Sequence, residues 1–316
     1  MNPDIPQLKT VLRRTVHLLL LVVFLSITIQ SQQQQREIIS HDFTKNRQNA
    51  APVQHAKGSQ KQSRNRLQSA SRPNRTYAIT ASTVTNGPIL VNHSVKQLGI
   101  TIWRLRPRTD TDQGPAITVT RNGSSAELVP ERVNAGTEFR QGDLVRLSIE
   151  SAHAGYLYVI NRDLFADGTT STAEVIYPWA GMFWGDNRVR PGRVIDIPSQ
   201  EDSPSYFTAT PTKPNQKGEL LTFIVTKSPL KLRFVEEKAQ ISDEQMAKWE
   251  KTWSAQSERF EMNGGAGETW TEQEQQAATG LRPRRLTRND PAPQTIFRVA
   301  SSDRLAFLVK LKLSYE

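Results

Sequence analysis

The stretch from Gln32 to about Lys96 is polar and low in complexity (QQQQREIIS, later KGSQKQSRNRLQSASRPNR), and it limits the architecture more than any motif does. A segment this poor in apolar residues cannot bury enough surface to offset the ~1–2 kcal/mol per residue that ordering a backbone costs. Residues 32–98 are therefore expected to be a disordered linker, and the fold has to be built from residues 99–316. A mean hydropathy of −0.55 across the chain is the dilution such a segment produces.

Charge follows the same division. Residues 1–98 hold 13 Lys or Arg against 3 Asp or Glu, and residues 99–316 hold 28 of each, so the whole formal charge of +10 sits ahead of the domain. A pI near 9.9 would invite a nucleic-acid reading only if the basic groups lay on a folded surface. The domain is neutral, and no nucleic-acid partner is expected. The basic linker itself has two readings, a solvated spacer or an electrostatic contact with an anionic cell envelope.

The N-terminus carries Lys9, Arg13 and Arg14 and runs into an apolar stretch, Val16 to Ile29, closed by Gln30 and Ser31. A positive flank, a short apolar run and a small boundary residue make a secretion signal over residues 1–31. The run is shorter than the ~20 residues of a membrane span. Removal after about Ser31 is expected, giving a periplasmic or secreted protein, with a retained anchor as the alternative because Ile29 stands where a small residue is preferred. The chain has no cysteine, which removes disulfides, thiolate zinc sites and thiol nucleophiles together.

Beyond Gly99 the pattern is that of strands. Val145, Leu147 and Ile149 alternate with Arg146, Ser148 and Glu150, the mark of a half-buried strand. Gly155 to Ile160 (GYLYVI) is apolar on both faces, as a central strand would be, and the intervening SAHAG predicts a hairpin. Further strands are expected at 100–105, 116–120, 174–177, 194–197, 206–209, 220–226, 295–299 and 307–313. Many short strands separated by turns indicate a mainly β fold, a β-sandwich or an open β-barrel. Two capping boxes interrupt them: Ser242 with Gln245 ahead of Met246, Trp249, Trp253 and Phe260 at helical spacing, and Thr271 with Glu274 ahead of a short helix to Ala278. Both helices are expected to pack on the β core, with Asn263 to Gly267 (NGGAG) as a helix-ending turn.

The segments RLSIESAHAGYLYVINRD, DGTTSTAEVIYP, GDNRVRPGRVIDIP and GELLTFIVTKSPL resemble an uncharacterised bacterial domain-of-unknown-function family over roughly Gly142 to Leu230. The resemblance implies a β-rich extracytoplasmic or accessory module, appended in related chains to caspase-like peptidases or Ser/Thr kinases. It carries over no catalytic or ligand residue.

Site chemistry is sparse. His153 is the single histidine beyond residue 98, so any Ser-His-Asp arrangement needs it, and its place in a turn favours a solvated histidine. A multi-histidine zinc site fails by count. Asn161, Asp163 and Asp167 offer oxygen ligands, yet Phe165 interrupts the spacing and Asp167-Gly168 is a turn signal. Gly264, Gly265 and Gly267 lack the lysine and the preceding strand of a phosphate loop. Carboxylates are plentiful, but no spacing selects a glycosidase pair. Asn74, Asn92 and Asn122 open acceptor patterns that matter only in a eukaryotic secretory pathway. The feature most particular to this chain is the loop WAGMFWGDN, where Trp179, Phe183 and Trp184, with Asp186 and Asn187, could serve as a binding platform or cap the sandwich. Three functional readings follow. The first is an exported non-catalytic module acting through protein or envelope contacts, without a cofactor; the others are a glycan-binding module using residues 179–185 and an envelope hydrolase with unidentified carboxylates.

Overall fold

In the computed structural model the described residues are 33–49, 94–121, 124–179, 187–235, 239–253, 256–278, 284–301 and 306–316. The chain divides into two compact units, Met1–Ala50 with His93–Glu316 and Ala51–Asn92, and every described residue belongs to the first. The signal at 1–31, most of the linker, the three acceptor asparagines and the loop at 180–186 lie outside the described residues.

Two sheets face each other, and neither closes into a barrel. The first is built on β1 (Ser94–Pro107), which pairs along one edge with β5 (Asp143–Ser151) and along the other with β14 (Thr295–Ser301) and β3 (Ser124–Val133). It is completed by β2 (Ile117–Arg121) on β3, β9 (Val194–Ile197) and β10 (Phe207–Ala209) on β5, and β13 (Gln256–Glu261) on β14. The second sheet centres on β6 (Gly155–Phe165) and β11 (Gln216–Thr226), which share ten paired positions. Around them lie β7 (Ala173–Tyr177), β8 (Arg188–Val189), β12 (Gln240–Ile241), β15 (Ala306–Tyr315) and β4 (Glu138–Phe139).

The alternation seen in the sequence is what joins the sheets. Leu98, Ile100, Ile102, Val145, Leu147, Ile149 and Val299 point inward from the first sheet. They meet Leu157, Val159, Leu221, Phe223, Val225, Phe307, Val309 and Leu311 from the second, each side chain worth ~1.5–3 kcal/mol when buried. The reverse face of the second sheet is also apolar (Tyr158, Ile160, Ile224, Leu308) and is covered by α2 (Asp243–Trp253) through Met246 and Trp249. The Gln245 N–H donates to Ser242 Oγ at 3.2 Å, so this cap forms as read.

Four expectations are corrected. SAHAG is not a hairpin: β5 belongs to the first sheet and β6 to the second, so the turn is an arch between layers. Both edges of β5 are taken by β1, β9 and β10, which leaves no edge for β6. Phe260 is not helical but lies on β13, packed near Ile39 and Phe43. NGGAG accordingly follows a strand, with Gly264 and Gly267 at φ of 71° and 89°.

The fourth correction concerns the linker. Residues 33–44 form a helix, α1, and β1 already begins at Ser94. Ile39, Phe43 and Arg47 recur every fourth residue and are all buried on the outer face of the first sheet. Gly99 makes room for them, since a Cβ there would lie 2.2 Å from Pro293 Cγ and 2.9 Å from Phe43 Cζ. Averaged over 65 positions the stretch is too polar to fold, but Ile39 and Phe43 on one helical face, with Arg47 just beyond the helix, anchor residues 33–49 where a domain supplies the other half of the contact.

Candidate functional site

The outer face of the first sheet holds most of the buried charge. Arg47 Nε and Nη2 donate to the two oxygens of Glu150 at 2.9 and 2.6 Å, and its remaining donors reach the carbonyls of Thr287, Asp290 and Pro291. Glu150 also accepts the Gly192 N–H at 2.8 Å. Farther along the face, Arg146 donates to Asp196 at 2.8 Å and lies over the Trp270 ring, while Arg132 lies over Trp103 and pairs with Glu274. Trp103 Nε1 donates to Ser148 Oγ at 2.7 Å, and that hydroxyl donates to Asp196 at 2.6 Å.

This cluster resembles catalytic machinery only superficially. Burial drives the Asp196 carboxyl up to about 6, against the pull of Arg146 and the Ser148 hydroxyl. Yet the carboxylate that accepts from the hydroxyl is tied to Arg146, and the space beside the hydroxyl does not admit a substrate. The adjoining cavity, lined by Arg47, Thr101, Trp103 and Glu150, is about 20 Å³, room for one water. Its geometry locks cover elements down. Glu274 caps α3 (Glu272–Ala278), exchanging hydrogen bonds with Thr271, and simultaneously pairs with Arg132 of β3.

At one end of the sandwich, Asp163 and Glu219 are cross-strand partners. Burial raises the Glu219 carboxyl above its usual range, opposed by the Tyr315 hydroxyl, which donates to it at 2.7 Å. Asp163 accepts from Lys213 at 2.5 Å and from Gln216 at 3.2 Å. The cavity beside Glu219, walled by Phe139, Ile176, Phe207 and Leu221, is again about 20 Å³. A carboxylate pair exists here without space for a sugar ring.

The opposite end is roomier. The arch places His153 in a cavity of about 320 Å³, with Lys96 of β1 and Lys227 after β11 at its walls and Val225, Ala306 and Phe307 at its floor. The arch is fixed: Ser151 Oγ accepts the His153 N–H at 3.1 Å and the Ala152 N–H donates to the Gln97 carbonyl at 3.2 Å. Gly155 has no room for a side chain, since a Cβ would sit 2.6 Å from the Thr226 carbonyl oxygen. The GYLYVI glycine is thus a close-approach residue. His153 is half-buried, not solvated, and its Nε2 is buried with no partner. Burial, then the Lys96 charge, hold its pKa below the usual value, and a hydrogen bond to the Val95 backbone works the other way.

No known protein family, curated protein or solved structure matches this chain.

Of the loop residues read from the sequence, Phe183, Trp184 and Asp186 lie outside the described residues. Trp179 is 42% exposed and meets Tyr177 edge-on at 6.0 Å between ring centroids. Asn187 is buried, and its Nδ2 donates to the Leu157 carbonyl at 3.1 Å, which commits it to holding β6. Asp167 caps its own turn, accepting from the Thr169 N–H and hydroxyl at 2.9 and 2.7 Å. Among the described residues no group of three or more His, Asp or Glu is placed to hold a metal. Sequence reasoning singled out His153 but missed Lys96 and Lys227, which are 57 and 74 residues away from it, and it missed Arg47 entirely.

Proposed function

We propose that this chain is an exported, non-catalytic module that acts by binding, with the arch cavity around His153 as its contact site. The observation that carries the reading is the composition of that cavity, whose lining among the described residues brings together two ammonium groups and an imidazole with no carboxylate. An imidazole acts as general base only beside a group whose proton it can take, and the hydroxyl of Thr226, which lines the cavity, already donates to the Ser228 carbonyl at 2.7 Å. The carboxylates with raised pKa, Asp196 and Glu219, are each engaged by neighbours next to cavities the size of one water, which weighs against the hydrolase reading. Export rests on residues 1–31. Exposure of Trp179 favours glycan binding as the second reading.

The test is turnover. Assays of the full chain against ester, peptide and glycoside substrates should give none that depends on His153. The variant His153→Asn should leave any measured rate within about threefold, since a working general base is worth ~100-fold or more. A loss on that larger scale would overturn the non-catalytic reading.

A further inference from the structure

The arch cavity has the makings of an anion site, and we infer that it binds a small organic phosphate, with the oxyanion held between Lys96 and Lys227 beside the His153 ring. This rests on the proposed binding role and names its ligand class.

Three features point the same way. The first is charge. Among the described residues, Lys96 on β1 and Lys227 beyond β11 are the ionisable groups that wall the cavity with His153, and β15 contributes only Ala306 and Phe307. Two ammonium point charges with three donors each match a dianion such as a phosphate monoester better than a neutral sugar. The second is the state of His153. Its half-buried ring lies in the field of Lys96 with Nε2 buried and unpartnered, a setting whose charged form a nearby dianion favours. The third is size and support. A volume of about 320 Å³ far exceeds an inorganic phosphate and reaches the lower range of small-molecule pockets, so a body attached to the anion has space. The site is also pre-formed: Ser151, Gln97 and the close approach at Gly155 fix the arch from three sides. Little ordering then has to be offset on binding.

Coupling to pH has a definite sign. Burial and Lys96 disfavour the charged form of His153. A bound dianion opposes both effects, so the ring pKa rises on binding and the complex takes up a fraction of a proton.

Phenyl phosphate added to the full chain should bind saturably, and the His153 ring pKa followed by NMR should move upward at saturation. The double variant Lys96→Ala, Lys227→Ala should lose at least ~10-fold in affinity while its melting temperature stays within a few degrees, as expected for half-exposed lysines. Benzoate, a monoanion of similar size, should bind more weakly than phenyl phosphate. Absence of saturable binding at millimolar phenyl phosphate, binding unchanged in the double variant, or a His153 pKa that does not move would overturn the inference. Release of phenol would instead overturn the non-catalytic reading while leaving the site in place. Vesicles containing phosphatidic acid separate the sources of the phosphate. Cosedimentation lost in the double variant assigns a lipid headgroup, and binding of phenyl phosphate without cosedimentation assigns a free small molecule; both support the site.

Discussion

Arg47 and Glu150 form an ion pair with almost no access to solvent, one partner from a segment that composition marks as unfoldable and the other from the middle of β5. Two charges taken out of water are tolerated only when every lone pair and proton finds a partner, and this pair meets that condition through three carbonyls and the Gly192 amide. Arg47→Met should therefore cost ~3–5 kcal/mol, because Glu150 would be left charged and buried. Adding Glu150→Leu should recover a large part of the loss. Urea midpoints of the three variants check this, and a single-variant loss below ~1 kcal/mol would show the pair to be solvated. Asp196 gives a pH test. Its folded pKa, about 6, stands above the ordinary 3.8, so the native state holds the extra proton and Asp196 contributes stability that is full below pH 3.8 and lost as pH rises through 6. At ~1.4 kcal/mol per unit the loss is on the order of 3 kcal/mol. The difference in stability between the parent and Asp196→Asn should change with that sign across pH 4–6, and a difference independent of pH would refute the assignment.

At the scale of elements, α1 is the surprise. It docks through Ile39 and Phe43 at ~1.5–3 kcal/mol each, plus the Arg47 pair. The chain leaves this unit after residue 49 and rejoins it at residue 94. Trypsin sites between Lys57 and Arg75 thus lie between two anchored points. Digestion should nick this stretch, yet leave the peptide carrying residues 33–49 bound to the domain on native size exclusion, identifiable by mass spectrometry. Elution of the domain without that peptide would mean the dock is too weak to survive loss of the covalent link. The apolar spacing of Ile39 and Phe43 was present in the sequence, but two positions four apart are common in any polar tract. Met246, Trp249 and Trp253 were legible because a capping box preceded them; Phe260 looked like their continuation because a single in-phase residue fits period 3.6 and period 2 alike.

The described residues form a two-sheet sandwich whose outer faces are both covered, one by α2 and the other by α1 and α3. Among the described residues no helix is long and apolar enough to cross a membrane. If the apolar stretch at 16–29 is removed on export, the mature chain should begin near Gln32. N-terminal sequencing of the exported protein measures this, and recovery of the Met1 form in membranes would replace the reading with an anchored one.

Alternation at 144–149, two-sided apolarity at 155–160 and the two capping boxes were enough to determine that the chain is mainly β with helices laid on the core. They are local signals, and burial of one face requires them wherever the strand sits. Which strand each edge would meet was not determined, because a strand reads the same whether its neighbour lies in its own sheet or in the facing one. The SAHAG turn could thus be read as a hairpin when it is an arch. Charge behaves likewise. Lys96, His153 and Lys227 become one site, and Arg47 a buried ion pair, only when the tertiary fold brings distant positions within the few ångströms over which a hydrogen bond or an unscreened charge acts.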